Sequence, residues 1–273
     1  MPGIHHITAV GKDMDFYSDV LGLKLVKKTV NFDDPYTYHI YFGDETGSPG
    51  TALTFFLWDM PQAVRGTGQV SAVMYRAKDL SKWETKLKRY NPKRYERFKD
   101  KILGFTDSNG MFIELVDTGH DKLDKFYGAV MNVTAYDKEV LELLGFKETA
   151  KKGNIYRFTG KDDVIDVIVS PDPPASLGIG GVHHIAFRAK DDNEQMSFKK
   201  KLQSIGISVT PQIDRFYFKS IYFRLHSGVL FEIATDGPGF LIDESKDELG
   251  KKFVLPKQYE MIRKDIEKHL RPL

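Results

Sequence analysis

Short apolar runs bounded by turn residues dominate the hydrophobic pattern of the chain. In the last third, such runs predict strands at 182–188, 207–210, 216–224 and 229–235, separated by Pro211 and the Ser-Gly pair at 227–228. Between the first two strands, residues 192–205 show helical periodicity. This segment therefore reads as one strand, one helix and three further strands.

The same βαβββ order recurs along the chain, and two copies share sequence. "GQVSAVMYRAKD" (68–79) matches "GGVHHIAFRAKD" (180–191), and "DSNGMFIELVDTG" (107–119) parallels "LHSGVLFEIATDG" (225–237). The pattern predicts four units, at roughly 4–58, 66–117, 126–170 and 180–236. We predict an α+β fold built from modules at 1–62, 63–122, 123–174 and 175–240, followed by a C-terminal tail at 241–273.

The remaining segments are predicted from the same signals. The first unit has a predicted helix at 13–21 and strands at 24–30, 36–42 and 51–57, and the third has a helix at 138–144. Residues 170–181 form the clearest linker. A final helix starts at Pro256, and its apolar stripe is predicted to cover a sheet edge; the stripe consists of Tyr259, Ile262, Ile266 and Leu270.

Composition narrows the function classes. The 273 residues contain 40 basic and 38 acidic side chains, interspersed, with a formal net charge of +2, which argues against nucleic-acid binding. No run of 18 apolar residues is present and a strand pattern begins within four residues of the start, so we expect neither a membrane span nor a signal peptide. The absence of cysteine excludes disulfides, thiolate metal sites and a cysteine nucleophile, and it fits a cytoplasmic location. Any metal must bind to His, Asp or Glu.

Four of the eight histidines lie in two pairs, in "GIHHITAV" (3–10) and "GVHHIAFRA" (181–189). In "GVLFEIAT", Glu232 lies between apolar residues on a short strand, and an unpaired buried carboxylate is costly. His6, His184 and Glu232 therefore form a candidate metal site, with the two-histidine, one-carboxylate composition of non-haem Fe(II) oxygenases. Glu114 occupies the same repeat position as Glu232, but its unit lacks the histidine pair, so we expect it to be structural.

The chain resembles the vicinal-oxygen-chelate superfamily and, within it, the ring-cleaving dioxygenases that act on hydroquinones. Besides the two histidine stretches, the resemblance rests on "YTYHIYFGDETGSPGTALTFF" (36–56), "FYFKSIYFRLHSGVLFEIATDGPGF" (216–240) and "DELGKKFVLP" (247–256). It implies that the iron ligands are His6, His184 and Glu232, and that Fe(II) is the cofactor, with Mn(II) as an alternative. It also implies that three further residues orient substrate and handle protons: His5, Arg215 and Tyr222.

The residues themselves leave those three roles open. Tyr222 is equally consistent with a core aromatic residue, and Arg215 with a solvated charge at a strand end. In a regular strand His5 and His6 point to opposite faces, so a direct role for His5 requires a bulge or a bend. If units one and four supply the two histidine ligands, those units must form one half-barrel, and units two and three the other.

The expected activity is extradiol-type cleavage of a hydroquinone or catechol. The expected partners are a small aromatic diol and O2, without nucleic acid or membrane, and a homo-oligomer is left open. One alternative is a glyoxalase- or epimerase-type lyase or isomerase, but such enzymes need a further carboxylate, and "GTALTFF" in the first unit has none. A second alternative is a non-catalytic binding protein of the bleomycin-resistance kind, against which the retained metal triad argues.

Overall fold

A computed structural model describes residues 3–271 and residue 273; residues 1 and 2 of the first predicted module and residue 272 of the tail lie outside the described residues. The first unit contains β1 (Ile4–Val10), a π-helical turn (Phe16–Val20), β2 (Lys24–Asn31), β3 (Asp34–Gly43) and β4 (Ala52–Phe56). The second contains β5 (Gln69–Ala77), α1 (Leu80–Lys86), a 3₁₀ turn (Lys88–Tyr90), β6 (Lys93–Arg97), β7 (Asp100–Thr106) and β8 (Phe112–Asp117).

The other two units repeat the order. The third contains β9 (Phe126–Val133), α2 (Lys138–Leu143), β10 (Lys147–Lys152), β11 (Ile155–Thr159) and β12 (Val164–Val169). The fourth contains β13 (Val182–Ala189), α3 (Asp192–Ser204), β14 (Ile213–Asp214), β15 (Lys219–Arg224) and β16 (Leu230–Thr235). The tail adds 3₁₀ turns at Phe240–Ile242 and Lys257–Ile262 and the helix α4 (Arg263–His269).

The strands form two curled eight-stranded sheets, each built from two units. One has the order β14-β15-β16-β13-β1-β4-β3-β2, and the other β10-β11-β12-β9-β5-β8-β7-β6. We call the first, which joins units one and four through antiparallel β1 and β13 and contains both histidine pairs, the histidine half-barrel, and the second the companion half-barrel. The predicted fold class and the non-sequential pairing of units are confirmed.

Alternation along the strands determines which side chains face inward in the histidine half-barrel. Ile7, Ile185 and Ile233 are fully buried in the large core cluster shared with the companion half-barrel. Their strand neighbours, among them His6, His184 and Glu232, therefore project from the concave side. A one-residue shift in register would move the apolar set out of the core, so the core fixes the direction of the polar residues.

Three predicted elements differ from the structure. Residues 207–210 make only one bridge, between Val209 and Phe223, and the edge strand is instead β14, after Pro211. The strand predicted from 216 starts at Lys219 because Phe216 has a left-handed φ of 66°, which interrupts an extended strand. The helix predicted at 13–21 is only a π-helical turn.

The C-terminal helix packs on the edge of the histidine half-barrel, as its apolar stripe predicts. Ile266 and Leu270 are buried against Val30 of the edge strand β2 and Leu255. Ile262, a third member of the stripe, remains 42% exposed. No helix within residues 3–271 is long and apolar enough to cross a membrane.

Candidate metal centre and active site

Each histidine pair contains a β-bulge. Ile4 pairs with Phe187 but His6 pairs with Ala186, so His5 is an extra residue in β1. Thr8 pairs with His184 but Ala9 pairs with Val182, so His183 is an extra residue in β13. A bulge breaks the alternation of side chains. The two rings of each pair can therefore meet, with Nδ1–Nδ1 distances of 2.9 Å for His5–His6 and 2.7 Å for His183–His184.

The sheet register brings the triad together. Across four strands, Glu232 pairs with Ala186, Ala186 with His6 and His6 with Ala52. His6 Nε2 lies 3.3 Å from His184 Nε2 and 3.4 Å from Glu232 Oε2, and His184 Nε2 lies 2.9 Å from Glu232 Oε2. Three potential ligand atoms thus converge on one point.

These atoms fit a divalent metal. Donors bound at right angles at about 2.1 Å would lie about 3 Å apart, close to the observed spacing. Glu232 is fully buried; its Oε1 accepts a hydrogen bond from Ser220 Oγ, whereas Oε2 has no well-aligned hydrogen bond from the residues described. Such an orphaned carboxylate oxygen is costly without a cation. In the described part of the chain, this is the one group of three His, Asp or Glu residues close enough to hold a metal.

Protonation in the site also favours metal binding. Burial by itself opposes ionisation of Glu232, but the facing imidazoles of His6 and His184 outweigh it and hold the pKa of Glu232 well below its ordinary value. Burial lowers the pKa of His184, although Glu232 acts in the opposite direction. Metal ligation needs an ionised carboxylate and a neutral imidazole. Glu232 and His184 are therefore biased toward the forms that bind metal.

His5 lies behind His6 rather than in the cavity. Its Nδ1 contacts His6 and its Nε2 lies 3.1 Å from the backbone oxygen of Thr235. Burial, reinforced by His6, lowers the pKa of His5 to about 3. His183, the matching residue of the second pair, instead lines the cavity. The bulge thus brings His5 to its neighbouring ring without bringing it to the cavity.

The triad lies at a cavity of ≈ 350 Å³ that contains both of the other predicted residues. Tyr222 pairs with Glu232 across β15 and β16, and its hydroxyl accepts a hydrogen bond from Arg215 Nε at 3.2 Å. Burial, with a further contribution from Glu232, raises the pKa of Tyr222, so the phenol stays protonated at neutral pH. Aromatic side chains form much of the remaining wall, namely Phe32, Phe56, Trp58 and Phe218.

His39 also lines this cavity, and the sequence analysis did not identify it. Its Nδ1 lies within hydrogen-bond distance of the Tyr41 hydroxyl, at 2.7 Å, and its Nε2 lies 2.9 Å from Thr54 Oγ1. Burial, reinforced by the other site histidines, lowers the pKa of His39 well below its ordinary value. The alternation of side chains along a strand could have indicated His39. In "YTYHIYF", His39 shares a face with Tyr41 on a strand of the unit that contains His6.

The companion half-barrel holds an ion network at the matching position. Glu114 accepts hydrogen bonds from Arg97 Nη1 at 2.9 Å and from the Tyr95 hydroxyl at 2.5 Å. Arg97 Nε donates to Asp166 at 2.6 Å, and Asp166 also pairs with Arg157. In the part of the chain that the structure describes, the hydrogen-bond partners of Glu114 are thus an arginine and a tyrosine rather than histidines, and a guanidinium supplies its positive partner.

Comparison with known proteins agrees with this architecture. A sequence model of the Glyoxalase/Bleomycin resistance protein/Dioxygenase superfamily matches residues 112–233. MhqO of Bacillus subtilis, named for an inferred ring-cleaving dioxygenase activity, is 42% identical over 99% of this chain and 96% of the relative. The chain belongs to this superfamily. The chain is also similar to the chlorohydroquinone/hydroquinone 1,2-dioxygenase of Sphingobium indicum. The two sequences are 33% identical over 97% of this chain and 94% of that relative.

Solved structures of the superfamily show the same fold. A crystal structure of an inferred dioxygenase from Bacillus subtilis has a TM-score of 0.93 and 42% identity, covering 99% of this chain and 97% of its own. Glyoxalase I from Zea mays has a TM-score of 0.63 at 14% identity, covering 86% and 93%, and shows the fold alone. The predicted superfamily is confirmed, and the predicted dioxygenase class agrees with full-length relatives that are 33–42% identical.

Proposed function

We propose that this protein is a non-haem Fe(II)-dependent, extradiol-type ring-cleaving dioxygenase that acts on a hydroquinone or a catechol. The observation that carries the proposal is the convergence of His6, His184 and Glu232 at a cavity with aromatic walls. The names of the full-length relatives support the ring-cleaving chemistry, and the Sphingobium relative supports a hydroquinone substrate. Mn(II) accepts the same types of donor atom.

The donor set suits an anionic diol. Ferrous iron held by His6, His184 and Glu232 would supply redox chemistry that no protein side chain offers, namely the transfer of electron density from an ionised diol to dioxygen. One carboxylate and two neutral imidazoles leave one of the two positive charges of the ion uncompensated. That charge favours binding of a phenolate oxygen. Both oxygen atoms enter the product and the diol supplies the electrons, so no external reductant is needed.

The protein side chains orient the substrate and supply hydrogen bonds. The Tyr222 hydroxyl remains protonated beside the triad, so it is placed to donate to a substrate oxygen or to hold the proton needed during ring opening. The Arg215 guanidinium directs that hydroxyl and adds positive charge to the cavity. His5 supports the ring of His6 from behind, and we assign it a positioning role. The aromatic wall excludes water and packs against the diol ring.

Oxygen consumption tests the proposal. After loading with Fe(II) under anaerobic conditions, the protein should consume oxygen and diol in equimolar amounts with hydroquinone, methylhydroquinone or catechol. Mass spectrometry with ¹⁸O₂ should find both labelled atoms in the ring-opened product, apart from any lost by exchange with water. Full iron occupancy without oxygen uptake for any of the three diols would contradict the proposal. Turnover of a glutathione hemithioacetal instead would indicate the lyase or isomerase alternative.

Replacing Tyr222 with phenylalanine should lower kcat by about 10- to 100-fold without changing iron content. The variant loses one hydrogen bond to a charged reacting group, and such bonds contribute about 1.5–3 kcal/mol. Steady-state oxygen uptake and metal analysis measure the two quantities. Tyr75→Phe is the matched control, because Tyr75 is buried in the shared core and its hydroxyl has no hydrogen-bond partner within residues 3–271. Equal activity losses in both variants would remove the case for Tyr222.

A further inference from the structure

The turn between β2 and β3 reaches across the cavity mouth to the loop between β14 and β15. Asp33, on this turn, contacts both terminal nitrogens of Arg215, with Nη1–Oδ1 and Nη2–Oδ2 distances of 2.9 Å. The third nitrogen, Nε, donates to the Tyr222 hydroxyl at 3.2 Å. One guanidinium thus joins a carboxylate at the rim of the cavity to a phenol beside the triad.

The two members of the ion pair, Asp33 and Arg215, differ in exposure to solvent. The Asp33 side chain is 70% exposed, whereas that of Arg215 is only 14% exposed. Hydrogen bonds at each end hold the backbone: Asn31 Oδ1 accepts from Asp33 N at 2.9 Å, and the Phe218 carbonyl accepts from Arg215 N at 2.9 Å. The turn is also held from the C-terminal tail, because the Tyr259 hydroxyl donates to the Phe32 carbonyl at 2.8 Å. Asp33 is therefore presented to Arg215 in a defined position.

The planar guanidinium of Arg215 links the position of the Asp33 carboxylate to the direction of the Arg215 Nε–H bond. When a carboxylate engages both terminal nitrogens, the plane of the group is fixed, and the direction of Nε–H is fixed with it. Without Asp33, the group can rotate about its last side-chain bonds, and the hydrogen bond from Nε to Tyr222 loses its alignment. We propose that Asp33 is a positioning residue that orients the Tyr222 hydroxyl through Arg215. This inference rests on the proposed function for its effect on turnover, but its geometric part is independent of activity.

Asp33→Asn should lower kcat by about twofold to fivefold, the range expected for an ion pair with one exposed partner. The effect should be absent when Asp33→Asn is added to Tyr222→Phe, because Asp33 then has no hydroxyl to orient. Oxygen uptake by the four proteins of this double-mutant cycle gives the coupling. An equal loss of kcat in both backgrounds would show that Asp33 acts elsewhere and would overturn the proposal. Asp121→Asn is the matched control, since Asp121 is 80% exposed and pairs with Lys78 at 2.8 Å.

A second measurement does not need turnover. The ¹⁵N-edited resonance of Arg215 Nε–H, assigned by its loss in Arg215→Lys, should exchange slowly with water in the parent protein and faster in Asp33→Asn. The Asp121→Asn control should leave it unchanged. An unchanged exchange rate in Asp33→Asn would overturn the proposal even if the protein consumed oxygen. If no diol were turned over, the proposed function would fail, while this exchange rate would still decide whether Asp33 orients Arg215.

Discussion

Glu232→Gln is expected to weaken Fe(II) binding by at least about 100-fold and to remove oxygen uptake. The substitution keeps the shape of the side chain but replaces an anionic ligand atom with a neutral amide. Because altering a group that merely supports a metal ligand already costs about 10- to 100-fold in affinity, losing a ligand should cost more. Metal analysis after equilibrium dialysis measures the binding. His184→Ala should have the same outcome, because it removes a second converging atom.

Thermal unfolding gives a second test of the same site. A metal that binds only the folded protein raises its apparent stability, so Fe(II) under anaerobic conditions should raise the Tm of the parent protein and not that of Glu232→Gln. Glu114→Gln provides the matched control, because Glu114 lies at the equivalent repeat position in the companion half-barrel. Its Tm should still increase with Fe(II). A metal-dependent increase that survived in Glu232→Gln would show that these residues do not hold the ion.

Much of the architecture was predictable from the sequence because it depends on repetition and alternation. The shared repeat predicted βαβββ units, and the placement of histidine in the first and fourth predicted their pairing. Glu232 could be distinguished from Glu114 by the presence or absence of a histidine pair in the same unit. The repeat and the histidine pairs can both be recognised in the sequence of individual units, and neither depends on the exact path of the backbone.

The parts that were not predicted depend on irregular backbone or on long-range contacts. The extra residue at His5 or His183 changes the direction of a side chain, and a run of residue types does not reveal a bulge. His39 belongs to the site because β3 lies two strands from β1 in the curled sheet. The contact between Asp33 and Arg215 joins residues 182 positions apart. Such contacts follow from the closed shape of the half-barrel rather than from local pattern.

The sequence also did not predict the ion network of the companion half-barrel. A substitution in this network is expected to have the second large effect. Arg97→Met should destabilise the protein by about 3–5 kcal/mol, the usual cost of removing one partner from a buried ion pair. Arg97 and Glu114 side chains are 9% and 3% exposed, so solvent offers little compensation. Glu114 would keep the Tyr95 hydroxyl and Asp166 would keep Arg157, but both carboxylates would lose their shared cation. Denaturant unfolding followed by circular dichroism measures the change.

Two comparisons separate this charge effect from loss of packing. Adding Glu114→Gln to Arg97→Met should restore part of the stability, because the uncompensated carboxylate is then neutral. Arg94→Met, on the same strand, removes an ion pair with Glu84 whose side chains are 47% and 44% exposed, and it should cost less than about 1 kcal/mol. If Arg97→Met and Arg94→Met destabilised the protein equally, the network would contribute no more than a surface ion pair. If the double variant were less stable than Arg97→Met, the uncompensated charge on Glu114 would not be the cause. The expected order instead makes Arg97 the cation that compensates the buried carboxylates of Glu114 and Asp166 in the companion half-barrel, at the position where the histidine half-barrel has the proposed metal-binding triad.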